Sequence, residues 1–105
     1  MSKWTDVTRI PAETRTATFL RDGERCVYCD TPRRLECAHV VPRRRGGKGV
    51  ITNLVTLCHG CHQKMDYYAW TDEGKEIELY VQAYIRMLYP GWSDEDQIYH
   101  KYEGV

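Results

Sequence analysis

The chain contains no run of about 18 apolar residues, so no segment is long and apolar enough to read as a membrane-spanning helix, and no membrane partner is expected. Its first residues, Met1-Ser2-Lys3-Trp4-Thr5-Asp6, lack the charged-then-apolar layout of a secretory signal, which makes the cytoplasm the expected location. Internal repeats and low-complexity tracts are also missing. With 105 residues there is little core to divide, and the expectation is one domain over residues 1–105. Net charge is absent too, at +0, but that balance hides an asymmetry. Residues 1–65 hold 12 Lys/Arg against 6 Asp/Glu, whereas residues 66–105 hold 3 against 9.

Five cysteines are present, and four of them form two pairs, Cys26-x2-Cys29 and Cys58-x2-Cys61. In a reducing compartment such pairs are better read as metal ligands than as disulfides. A thioredoxin-like redox motif would explain one pair and leave the other idle. Four thiolates satisfy the tetrahedral preference of structural Zn²⁺ and leave it no open position. The zinc expected here therefore staples the chain and does no chemistry. A small domain gains most from such a staple, because its core is small. Cys37 remains, and is expected to be simply a small buried residue.

Local patterns predict a helix from Pro11 to Asp22, with Pro at a favoured first-turn position and Gly23 as the stop. Leu35 to Val41 has the composition of a strand ended by Pro42, and Ile51 to Leu57 that of a second strand or extended segment. A helix follows from His62. Between the strands, Arg43-Arg44-Arg45-Gly46-Gly47-Lys48-Gly49-Val50 is too rich in Gly and charge for regular structure and is expected to be a flexible basic loop. A long helix is predicted from about Glu73 to Tyr89, where Ile77, Tyr80, Val81, Tyr84, Ile85 and Leu88 form one apolar stripe. Ser93 followed by Asp94, Glu95 and Asp96 suggests a short closing helix. The tyrosines of this region read as packing residues, with nucleobase stacking as the minor alternative.

Three polar residues lie between and beside the cysteine pairs: His39 on the first strand, Asn53 after the basic loop and His62 after Cys61. A single histidine of this kind is usually a surface or satisfied core residue; their combination is more informative. In Arg21-Asp22-Gly23, Cys26-x2-Cys29, Ala38-His39-Val40-Val41-Pro42, Gly46-Gly47, Asn53-Leu54 and Leu57-Cys58-x2-Cys61-His62, the chain resembles the HNH endonuclease family in its zinc-knuckle variant. The resemblance implies an α+β fold: a small ββα-metal core over about residues 21–66, stapled by the four-cysteine zinc site, with flanking N- and C-terminal helices, the C-terminal extension covering about residues 73–105.

The same resemblance implies a metal-dependent DNA endonuclease, with DNA as partner and products carrying a 5′-phosphate and a 3′-hydroxyl. His39 would be the general base, Asn53 would support the loop and orient His39, and His62 would ligate a divalent ion, Mg²⁺ or else Mn²⁺ or Ni²⁺. Arg43, Arg44, Arg45 and Lys48 would contact the flanking phosphates. Many small members of this kind are encoded by phages or mobile elements, which leaves packaging or mobile-element partners unidentified. One position departs from the pattern. Where many members carry Asp or a further His just before the base, this chain has Ala38, which leaves water, Glu36 or Cys37 to complete the ion's shell. That departure also supports an alternative, a catalytically weak or inactive zinc-containing nucleic-acid-binding or adaptor module. A third reading is a structural zinc domain that binds a protein through its acidic tail. His59 and His100 are expected to take no catalytic part.

Overall fold

A computed structural model describes residues 2–100. Ser2, whose hydroxyl accepts from the Thr5 amide, caps a short first helix, α1 (Lys3–Thr8), which the motifs had not indicated. Pro11 then sets an extended backbone from which α2 (Ala12–Arg21) starts, and Gly23 follows in the left-handed region at φ 75°. Strands β1 (Leu35–His39) and β2 (Leu54–Cys58) pair antiparallel, with Leu35 opposite Cys58, Cys37 opposite Thr56 and His39 opposite Leu54. Next come α3 (His59–Tyr67) and α4 (Asp72–Leu88). The architecture is the small α+β arrangement expected, a two-stranded sheet carrying helices.

The two faces of this sheet are covered by different helices, which explains why β2 is apolar almost throughout. Ala38, Val55 and Leu57 share the cluster that contains Met65 of α3 and Ile77, Val81 and Ile85 of α4. On the other face, Thr56 reaches the Thr18 carbonyl of α2. Burial of the α4 stripe, at roughly 1.5–3 kcal/mol per large apolar side chain, is what fixes that helix on the sheet. Tyr80, placed in the stripe by its spacing, is instead 46 % exposed and meets Tyr28 edge-on at 5.3 Å between centroids.

Arg21 and Asp22 lock α2 to the rest. Arg21 donates to the carbonyls of Ile51 (2.8 Å) and Leu54 (2.7 Å) and to Asp22 Oδ1 (2.8 Å). The Asp22 carboxylate, its side chain fully buried, also accepts from the Thr56 amide (2.9 Å) and the Tyr84 hydroxyl (2.6 Å). Burial and the Asp22 carboxylate together push the Tyr84 phenol up. A buried ion pair holds well only when its remaining lone pairs and protons are satisfied, and here they are.

Four local expectations need correction. The segment Ile51–Asn53 is a 3₁₀ turn, so the second strand begins only at Leu54. The third helix begins at His59 rather than His62, because Cys58 Sγ accepts from the Cys61 amide and caps it there. The closing helix after Ser93 is reduced to a 3₁₀ turn, Glu95–Gln97; Tyr102, also in the tail, lies outside the described residues. Most important, the basic loop is ordered.

Arg43–Arg45 form a 3₁₀ turn closed by Gly46 at φ 88°. The chain ends then grip the loop from both sides: Lys48 donates its amide to Gln97 O (2.8 Å) and Gly49 to Val7 O (2.9 Å), while Gly47 pairs with Ile98. A Cβ at Gly47 would collide with the Val41 carbonyl, and one at Gly49 with the Arg9 carbonyl. Here glycine permits close backbone packing rather than flexibility.

Candidate metal centre and active site

The two cysteine pairs converge because of the sheet. Cys26 and Cys29 lie in a turn tied to β2 by the Val27 amide donating to Thr56 O (3.0 Å), and β2 delivers Cys58 directly to the start of α3. One ligand atom from each of Cys26, Cys29, Cys58 and Cys61 lies within 4.8 Å of the others. A tetrahedral Zn²⁺ with Zn–S bonds of about 2.3 Å sets its sulfurs about 3.8 Å apart, so the donor set and spacing fit that ion. Backbone N–H groups of Cys29 and Cys61 point at the sulfurs of Cys26 (3.5 Å) and Cys58 (3.4 Å). Although burial opposes ionisation, such N–H donors hold the Cys26 thiol down at about 7. Burial and the neighbouring sulfurs push the Cys61 thiol up. Four thiolates so close together repel unless a cation joins them. Among the described residues this is the one cluster of three or more His, Cys, Asp or Glu ligand atoms so placed.

His39 ends β1. Its Nε2–H donates to the Thr8 carbonyl (2.8 Å), one of the acceptors that the last turn of α1 leaves without an intrahelical partner. A carbonyl can only accept, so the hydrogen bond fixes the tautomer with Nδ1 as the lone-pair nitrogen. Among the described residues Nδ1 makes no hydrogen bond. Burial lowers the His39 pKa from its ordinary value against the opposing pull of the Thr8 carbonyl, and the Arg43 charge lowers it further. The imidazole is thereby kept neutral near pH 7.

Asn53 is fully buried, and its amide spans the base of the basic loop. Its Oδ1 accepts from the Val41 amide (2.8 Å), and its Nδ2 donates to the carbonyls of Val41 (3.1 Å) and Lys48 (2.9 Å). The Asn53 carbonyl accepts from the Val40 amide next to His39 (2.8 Å). It does not line the cavity at His39.

His62 projects from α3 between two carboxylates. Its Nδ1 lies 2.7 Å from Glu36 Oε1, and its Nε2 lies 2.9 Å from Asp66 Oδ2, one helical turn on. The Asp66 hydrogen bond raises the His62 pKa against burial, and Glu36 adds to the effect. Glu36 also accepts from His59 Nδ1 (2.8 Å); although burial favours its acid form, the two histidines hold its pKa below the ordinary carboxylate range. Of the groups considered for completing an ion's shell, Glu36 meets His62 and Cys37 lies on the opposite strand face beside Thr18. Ala38 is fully buried in the apolar cluster.

A cavity of about 320 Å³ joins these parts, lined by His39, His62 and Asp66 together with Arg43, Arg44 and Tyr67. A second, of about 100 Å³, runs from His39 past Arg44 and Arg45 to Glu78, Gln82 and Arg86 on α4. Arg86 stacks on Trp92 at 5.4 Å. Lys48 is placed elsewhere, its Nζ against the Asp96 carbonyl (3.3 Å). Thr8, Asp66 and Arg86 were not singled out from the sequence. Asp66 was the most accessible of them, since it follows His62 at i+4; nothing local marked Thr8 or Arg86.

A search of curated proteins finds no match to the chain. A scan of family models finds a match, described as HNH endonuclease, which suggests nuclease-type activity. The match covers residues 26–66, the span of both cysteine pairs, both strands and α3 through Asp66, and over that span the chain is similar to the HNH endonuclease family.

Proposed function

We propose that the protein is a metal-dependent DNA endonuclease in which His39 is the general base. The carrying observation is the single hydrogen bond from His39 Nε2 to the Thr8 carbonyl, which leaves Nδ1 as an acceptor in a cavity shared with His62, Asp66 and two arginines. Neutral His39 takes a proton from a water at Nδ1, and the hydroxide so formed attacks phosphorus. The P–O3′ bond breaks and the departing O3′ takes a proton from solvent water, leaving a 5′-phosphate and a 3′-hydroxyl. Asn53 acts as a positioning residue: it holds the backbone of Val40 and Val41, and through it the end of β1 that carries His39.

His62 Nε2, once it has lost its proton, and Asp66, one turn on, would hold a divalent ion, while Glu36 accepts from Nδ1–H on the far edge of the ring and orients it; one nitrogen and one carboxylate completed by waters suit Mg²⁺ through the oxygens and Mn²⁺ or Ni²⁺ through the imidazole. When bound, such an ion polarises a phosphate oxygen and offsets charge on the leaving oxygen. Arg43, Arg44 and Arg45 hold the phosphates on either side, with Arg86 extending that surface onto α4. The four cysteines bind structural Zn²⁺ that joins the Cys26 turn to α3 and takes no part in the reaction.

The test is incubation of zinc-loaded protein with supercoiled plasmid and Mg²⁺, Mn²⁺ or Ni²⁺. Nicked or linear product is expected with at least one ion, reduced about 10²–10⁴-fold by His39→Ala at unchanged zinc content. Absence of cleavage with every ion, in protein that still binds DNA, would replace this reading with that of a binding module.

A further inference from the structure

The corner between α3 and α4 carries three aromatic residues that the fold leaves outside its core: Tyr67 (75 % exposed), Tyr68 (48 %) and Trp70 (76 %). Tyr67 is the one at the site. It lines the cavity that contains His39, His62, Arg43 and Arg44, and also the neighbouring cavity of about 190 Å³ bounded by Glu36, His59 and Gln63. A large ring so exposed contributes little to folding, while the residue two positions earlier, Met65, is buried.

We infer that Tyr67 is a stacking platform for an unpaired nucleobase next to the scissile phosphate, an inference that rests on the nuclease reading above and names its preferred substrate as gapped, flapped or single-stranded DNA. Phosphates are held by cations and need no aromatic partner. An aromatic face gains from another π-face, and in an intact duplex each base face is already covered by its neighbours. The ring beside Arg43 and Arg44 therefore gains a stack where the strand is open, while the arginines hold the backbone of the same nucleotide. Tyr68 and Trp70, in the connection that follows, are exposed as well.

The experiment measures binding of labelled oligonucleotides by fluorescence anisotropy without added divalent ion, comparing a fully paired duplex with the same duplex carrying a short gap. Wild-type protein should bind the gapped form on the order of ten-fold more tightly. Tyr67→Ala should erase that preference, Tyr67→Phe should retain it because stacking needs no hydroxyl, and Leu79→Ala, exposed elsewhere on α4, should keep wild-type values. Equal affinity of the wild type for both duplexes, a preference that survives Tyr67→Ala, or no DNA binding at all would overturn the inference. Plasmid cleavage assayed in parallel separates the two readings. Gap-selective binding without cleavage removes the nuclease and keeps the platform, and cleavage without gap selectivity does the reverse.

Discussion

The Thr8 carbonyl and the His39 imidazole, 31 positions apart, meet at 2.8 Å, so a helix outside the matched segment fixes the tautomer of the proposed base. Deleting residues 2–8 should release Nε2 and expose the ring. Because burial is the largest cause of the lowered His39 pKa, its value should return toward the ordinary range near 6.5. The acid limb of the pH–rate profile, set by loss of the neutral base, should then move to higher pH. Stability follows the same sign. The unfolded chain binds this proton more tightly, so the contribution of neutral His39 is complete above about 6.5 and is lost as pH falls through the lower folded-state value. NMR titration of His39 in both proteins checks both; an unmoved pKa would show that α1 does not control the base.

Zinc removal should unfold the matched segment. Elemental analysis should find one Zn²⁺ per chain, and chelation or Cys58→Ser should abolish the cooperative thermal transition, since structural zinc contributes roughly 10–16 kcal/mol of apparent binding energy in small domains. A folded, zinc-free protein would contradict this.

Ala38→Asp tests how the divalent site is completed. Ala38 is fully buried in the apolar cluster that includes Val55, Met65 and Ile77, so a carboxylate there is desolvated without a partner and should destabilise by about 2–5 kcal/mol, read from denaturant melts. It should not improve ion affinity. Glu36→Gln and Asp66→Asn should instead raise the divalent-ion concentration for half-maximal cleavage by about ten-fold or more, at unchanged zinc content. Tighter Mg²⁺ use by Ala38→Asp would restore that position as a ligand site.

The basic residues should divide by position. Arg44→Ala with Arg45→Ala should lower the slope of log affinity against log salt by about 2, as two lost phosphate contacts require. Lys48→Ala should leave the slope unchanged, because its ammonium group sits on the Asp96 carbonyl. Equal effects from the two variants would place Lys48 on the DNA.

Much of this protein was determined by the order of its residues. Cys-x2-Cys pairs have few chemical uses, so the metal cluster could be read before any fold was known. The α4 stripe from Ile77 to Ile85 was likewise legible, because helical period and burial coincide there. The local sequence also implied a mobile loop at Arg43–Val50, and that expectation failed because its restraints come from Val7, Gln97 and Ile98, at the two ends of the described chain. Only tertiary structure decided which nitrogen of His39 is free, why Ala38 carries no ligand, and that Glu36 meets His62 on the edge of the ring away from Asp66. Each depends on the packing of a helix against a strand far from it in sequence, and spacing alone does not encode which side chains such packing brings within 3 Å.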